Sequence, residues 1–488
     1  MKTNLIIISA LVVFLVSCTD KFEEFNTDRK NPANVTGETV FSNAELALTD
    51  QVSSTNVNLN VFKLFSQYWT ETTYTDEANY DIINRGIPDL TFREYYRGFL
   101  RDFQEARNLI IAAPLQAGDN PALKVNKLAV IDLLQVYAFQ NLVDIFGNVP
   151  YSEALDINNI APKYDDAFTI YKDLINRIDT SLASIDLTAG SFGSADLIYG
   201  GDMAKWHKFG NSLKFRLGIT LADVDQGLSR ATVESAVAGG IFESNDDNAL
   251  LYYLSAIHVN PLYEDVIQSG RDDFVPANTI VDIMNLKQDP RRQLYFTMSG
   301  GQYRGGIYGE SSPFSQYSHI AGQITQPDFP GILLTYDEML FYRAEAAARG
   351  FNVGGAPEQF YNAAITASIE FWGGTPAQAA AYILTPGVAY NNPQSGATWQ
   401  QKIGTQSYIA FYTRGLEAFN QWRRLDYPVL NTPPVLEGDY SGIPKRLTYP
   451  VNEQTLNATN YQAAVAAIGG DKLTTKVFWD VNDPAPVK

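Results

Sequence analysis

The amino-acid sequence predicts an all-α fold in which amphipathic helical hairpins stack into a scaffold and long irregular loops pack over it. Three observations lead there. Apolar residues recur at three- and four-residue spacing in segments of both halves of the chain. Those segments are bounded by helix start and stop residues. Between the halves, from about residue 250 to 326, the chain is rich in Tyr, Gly, Pro, Ser and Asn and holds neither the helical nor the strand period. With 488 residues, 45% of them hydrophobic and 18% charged, there is ample material for a large core.

Taken in order, the first 17 residues carry basic Lys2, an apolar run from Leu5 to Val16 and small Ser17, the three parts of a secretory signal. The run is short for a bilayer crossing and gives way at once to Asp20, Lys21, Glu23 and Glu24. Leu15-Val16-Ser17-Cys18 resembles the lipobox of bacterial lipoproteins, in which the cysteine becomes the lipidated first residue. Cys18 is the only cysteine in the chain, so it is expected to be an anchor and no disulfide is available. Residues 18–37 then read as a lipidated, polar tether with Asn31-Pro32 as a turn signal.

The first confident helix follows Asn120, a good N-cap, and Pro121. Leu128, Ile131, Gln135, Ala138, Leu142 and Ile145 form its stripe, and Gly147 ends it. A second stripe runs through Tyr164, Phe168, Tyr171, Ile175, Ile178 and Leu182. In the C-terminal half, Tyr336, Leu340, Ala344 and Ala347 lie on one face up to Gly350, and the segment from Pro357 to Gly373-Gly374 completes a helix-turn-helix unit of nearly tetratricopeptide length. Tyr408, Tyr412, Leu416, Phe419 and Trp422 mark a further amphipathic helix. Small residues such as Ala344, Ala346, Ala347 and Ala363 let helices approach closely, as in stacked repeats.

Charge and motifs exclude several function classes. The formal net charge is -18, and loss of Lys2 with the signal leaves 35 basic against 54 acidic residues. No basic stripe appears, which argues against nucleic acid as a partner. The chain has no H-E-x-x-H, G-x-S-x-G, Walker lysine loop or G-x-G-x-x-G, so no cofactor fingerprint is present. His207, His258 and His319 stand far apart with no cysteine near them, and no D-x-[DN]-x-[DN]-G loop places a calcium, so no metal site is expected. Glycoside hydrolysis needs only two carboxylates about 5–10 Å apart and is the enzyme alternative. Glu338, Glu345 and Glu417 read as ordinary helix-supporting positions.

Six stretches carry a resemblance: EFNTDRKNPANVT, YYRGFLRDFQEARNLI, NLVDIFGNVPYSEAL, LLTYDEMLFYRAEAAARGF, RGLEAFNQWRRLDYPVL and the final PKRLTYPVNEQTLNATNYQAAVAAIGGDKLTTKVFWD. In this order, behind a lipobox, they resemble the SusD/RagB family of Bacteroidetes nutrient-binding lipoproteins, and its SusD-like second branch in particular. Length alone suggests several domains; the resemblance implies one, over residues 38–488. It also implies a tetratricopeptide-like scaffold, a surface location at the outer membrane, and a SusC-like TonB-dependent transporter as partner. The ligand it implies is an oligosaccharide, or a peptide as in the RagB type, bound without cleavage.

Binding a sugar takes aromatic faces for its apolar C–H side and planar polar groups for its hydroxyls. Two segments combine these outside clear helices. One is YWTETTYTDEANYDIINR and the other is the glycine-rich stretch from residue 299 to 323. The expected stacking platforms are Tyr74, Tyr80, Tyr303 and Tyr308, with Asp76 and Arg304 as hydroxyl partners. Phe314, Tyr317 and His319 are of interest in the same stretch. Trp69, Trp372, Trp422 and Trp479 are read as packing residues. A helical scaffold with no pocket ligand at all is the remaining alternative.

Overall fold

The computed structural model describes residues 35–482, apart from 116, 119 and 437–441. The signal, Cys18 and nearly all of the tether expected from the sequence lie outside the described residues. The longer helices are α1 (Gly37–Ser53), α2 (Arg101–Ala112), α3 (Pro121–Phe146), α4 (Ala167–Ser184), α5 (Met203–Thr220), α6 (Gln226–Gly239) and α7 (Asn278–Lys287). They continue as α8 (Tyr336–Ala348), α9 (Pro357–Phe371), α10 (Pro376–Ile383), α11 (Trp399–Ala410), α12 (Gly415–Leu425) and α13 (Ala458–Ala467). Successive helices pack side by side from α2 through α6; α5 joins α8, and α8 packs on both α9 and α11. The expected stack of hairpins is what forms.

Local signals explain the boundaries. Asn120 accepts the Ala122 amide at 3.0 Å and Pro121 opens α3, which ends at Gly147 with φ 84°. This helix is apolar and long enough to cross a membrane, but nine-tenths of its most apolar window is covered by the neighbouring helices, as a core helix requires. The second stripe was expected to begin at Tyr164. Instead Asp166 caps the helix through the Thr169 amide at 2.8 Å, and Tyr164 belongs to a short strand. The expected helix through Tyr408 and Trp422 is two helices, α11 and α12, broken at Thr413 with φ 74°. The apolar period continues across the break because both pieces face the same core.

Among the described residues, six short strands make three two-stranded antiparallel pairs. They are β1 (Trp69–Glu71) with β5 (Phe274–Pro276), β2 (Val149–Pro150) with β3 (Tyr164–Asp165), and β4 (Ala249–Leu251) with β6 (Gly331–Leu334). Each pair pins a loop to the scaffold. The stretch from 250 to 326 is thus less irregular than its composition suggests, since it contains α7 and β5.

The scaffold also corrects the reading of its acidic residues. Glu338, Glu345 and Glu417 are buried where α5, α8 and α12 meet. Glu338 accepts from Arg216 at 2.9 Å and from Arg414 at 2.5 Å; Glu417 lies 3.9 Å from Arg216 and accepts the Tyr137 hydroxyl at 3.2 Å. Glu345 is bound by Arg349 at 3.0 Å and by Arg424. These carboxylates are not helix-surface supports but the charged joints between helices, each matched by guanidinium because an unpaired buried charge is prohibitive.

Candidate functional site: the loop face

The two loop segments singled out in the sequence meet. β1 pairs with β5 in the register Trp69 with Pro276, Thr70 with Val275 and Glu71 with Phe274. The 304–309 strip is laid against the far end of β5: the Gly306 amide donates to the Pro276 carbonyl at 2.8 Å and the Asn278 amide donates to the Gly306 carbonyl at 2.7 Å. Glycine is what permits this approach. A Cβ at Gly305 would stand 2.5 Å from the backbone of Asn278, and Gly309, at φ 77°, has the Pro433 Cβ where its own Cβ would need room.

The segment after β1 is then stitched to the same strip. The Ser312 amide donates to the Glu71 carbonyl at 3.3 Å, the Ser311 hydroxyl to the Thr72 carbonyl at 2.7 Å, and the Asn79 amide group to the Gly309 carbonyl at 2.8 Å. A loop with this many fixed points is a rigid platform, although its composition alone reads as a long coil.

What the platform offers differs from residue to residue. Tyr74 is 70% exposed at the tip of the 72–79 segment, and Asp76 beside it is also exposed. Tyr303 is half-buried with the Arg292 guanidinium 5.4 Å from its ring centre; exposed Arg304 stands 5.9 Å from the ring of half-buried Tyr317. Phe314 and His319 stack with ring centres 3.7 Å apart, and the His319 Nε2–H donates to the Phe314 carbonyl at 2.9 Å. Arg292 was not expected from the sequence; it sits in a four-residue helix 11 positions before Tyr303, and no local pattern links the two.

Two of the expected platforms belong to the core instead. Tyr80 is fully buried, edge-on to Phe65 at 5.6 Å, and Tyr308 is 2% exposed with its hydroxyl donating to the Leu64 carbonyl at 2.9 Å. Their rings fasten the platform from below and offer no free face. Trp69, Trp372, Trp422 and Trp479 are buried as expected.

Beneath Tyr74 lies a pair of acids. Burial and the neighbouring charge of Glu77 push the Glu71 carboxyl up to about 9, and Glu77 pairs with Arg85 at 2.5 Å. Glu71 also accepts the Ala78 amide at 3.0 Å, so it ties both ends of the Tyr74 segment together. Its folded value lies above the unfolded carboxylate value of 4.5, so folding takes up a proton between about pH 4.5 and 9 and stability falls as pH rises through that window. Glu71→Gln, which keeps the shape and hydrogen-bonding capacity of the protonated acid, is expected to flatten the decline. Urea midpoints at pH 6 and pH 9 measure it; an unchanged pH slope in the variant contradicts the assignment.

Comparisons with known proteins agree with this architecture. The family model described as starch-binding, associating with the outer membrane, matches residues 29–450. Among solved structures, a chitin-binding protein superposes with a TM-score of 0.78 at 27% identity, covering 92% of this chain and 100% of its own. A SusD homologue from Bacteroides uniformis gives 0.77 at 27% identity, with 91% and 99% covered. A chitin-binding SusD homologue from Flavobacterium johnsoniae gives 0.76 at 25% identity, again with 91% and 99% covered. No curated protein sequence matches the chain. A family pattern that takes in most of the sequence, on a fold shared nearly end to end, places the chain in the SusD-like family of starch-binding proteins that associate with the outer membrane.

Proposed function

We propose that this protein is a lipid-anchored, cell-surface glycan-binding subunit that delivers oligosaccharides to a SusC-like TonB-dependent transporter and does not cleave them. The observation that carries the reading is Tyr74, a large ring held 70% exposed on a platform fastened at both ends, the same platform whose 304–309 strip follows Tyr303 and its guanidinium neighbour. Leaving such a ring in water forgoes the stabilisation of burial, which is reasonable where a ligand face will cover it. Tyr74, Tyr303 and Tyr317 supply stacking faces, and Asp76 and Arg304 supply hydroxyl partners. The stated chitin binding of two of the similar structures supports a saccharide over a peptide. In this reading Cys18 carries the lipid and the residues after it carry the chain away from the membrane.

Retardation of the soluble chain, cut just after Cys18, in gels containing soluble chitin derivatives, starch or other polysaccharides tests the proposal. One polysaccharide is expected to slow migration, and Tyr74→Ala and Tyr303→Ala are each expected to weaken the effect about 3- to 10-fold, the equivalent of roughly 0.5–1.5 kcal/mol for one ring contact. Unchanged affinity in both variants contradicts the loop-face assignment. Release of smaller sugars on long incubation contradicts the non-catalytic part.

A further inference from the structure

The helical scaffold carries a concavity of its own, built from elements apart from the loop face. Between α2, α3, α4 and the connection after β2 lies a cleft of about 540 Å³, which runs into a neighbouring one of about 520 Å³. Arg107, Asp132 and Arg177 line both. Each is of the size that ordinary ligand pockets have.

Its polar groups are set in place before any ligand arrives. Arg177 donates to Asp132 at 2.6 Å, to the Gln135 side-chain carbonyl at 3.0 Å and to the Tyr151 hydroxyl at 3.1 Å. The second Asp132 oxygen accepts from Ser181 at 3.0 Å, and the Tyr151 hydroxyl donates to Asp173. The Tyr151 ring is braced edge-on against Phe139 with centres 4.9 Å apart. Leu155, in the wall of the cleft, is held at φ 65°, in the left-handed region that a branched side chain rarely adopts. Against this background Arg107, half-buried at the junction of the two hollows, has no ion-pair or hydrogen-bond partner among the described residues.

The charges select the ligand. Three carboxylates, Asp132, Asp156 and Asp173, face two guanidiniums, so an anion is not favoured. Asp132 is paired with Arg177 and Ser181, Asp173 accepts from Tyr151 and Asp156 from Asn158, and two guanidiniums stand among them, so a cation is not favoured either. What remains is a set of hydrogen-bonding groups around a tyrosine ring: the neutral Gln104 and Asn108 amides, joined at 3.1 Å, and the N–H donors of the Arg107 guanidinium. We propose that this cleft is a second saccharide site, in which Arg107 and the Gln104–Asn108 amides bind the hydroxyls of a neutral glycan whose ring lies against Tyr151.

The site is independent of the loop face, and hydroxyl-radical footprinting of the mature chain reads the two separately. The probes are chitohexaose and maltoheptaose. With one of them, labelling of Tyr151 and Leu155 is expected to fall about twofold at the sugar concentration that half-fills the cleft. Arg107→Ala is expected to abolish that protection while leaving protection of Tyr74 intact; Arg107 has no partner to lose, so the variant folds normally. Unchanged labelling of Tyr151 with both sugars overturns the inference, as does protection that survives Arg107→Ala. Protection at Tyr74 alone overturns this site and leaves the loop face standing; protection at Tyr151 alone does the reverse.

Discussion

Glu338→Ala is expected to lower stability by about 3–5 kcal/mol, because it strips the shared partner from two buried guanidiniums. Arg216 on α5 and Arg414 at the start of α12 both close on this one carboxylate, at 2.9 Å and 2.5 Å, and all three side chains are almost fully removed from water. Remaining acids cannot take over: Asp337 lies 3.7 Å from Arg414 and Glu417 lies 3.9 Å from Arg216, each beyond a direct hydrogen bond. Burial opposes the charge on both arginines and the carboxylates oppose burial, so removing Glu338 leaves desolvation uncompensated. Urea unfolding of the variant measures the loss. A change below about 1 kcal/mol, the range of exposed ion pairs, would show that the joint is wet.

Gly305→Ala is expected to disable the loop face while leaving the scaffold folded. The added methyl meets the Asn278 Cα and N at 2.5 Å and the Ala277 carbonyl carbon at 2.7 Å, all backbone atoms that cannot turn aside. The 304–309 strip must lift, and the hydrogen bonds of Gly306 with Pro276 and Asn278 go with it, at about 1 kcal/mol each. Tyr303 and Arg304, which precede the glycine, are displaced together, so glycan affinity is expected to fall further than in Tyr303→Ala alone. Hydrogen exchange of the Gly306 and Asn278 amides checks the mechanism: rapid exchange is expected in the variant, and wild-type protection would contradict it.

Much of this was legible in the sequence because the signals were local. Asn120, Pro121 and Gly147 mark α3, since a cap, a first-turn proline and a left-handed glycine each act within a few residues. The helical hairpins follow from apolar period and small residues. The site was legible only in part. Composition identified the segments around Tyr74 and Tyr303, yet it could not separate Tyr303 from Tyr308, five residues apart and equally aromatic. Burial separates them: Tyr308 reaches the Leu64 carbonyl across 244 positions of sequence, a relation no window of residues contains. The same holds for Arg292 over Tyr303 and for Glu338, whose surroundings on its own helix look like any acidic first turn. In the sequence the glycines of this stretch mark only the absence of a helical or strand period, whereas Gly305 is there because backbone lies against backbone.

The proposed role of the loop face is to hold a glycan and pass it on unchanged. The most direct measurement is mass spectrometry of what co-purifies with the native protein when it is drawn from the outer membrane under mild detergent. Intact oligosaccharides are expected, in company with a TonB-dependent barrel, as is their loss from the Tyr74→Ala protein. Peptides in place of sugars, or oligosaccharides retained undiminished by Tyr74→Ala, would contradict it.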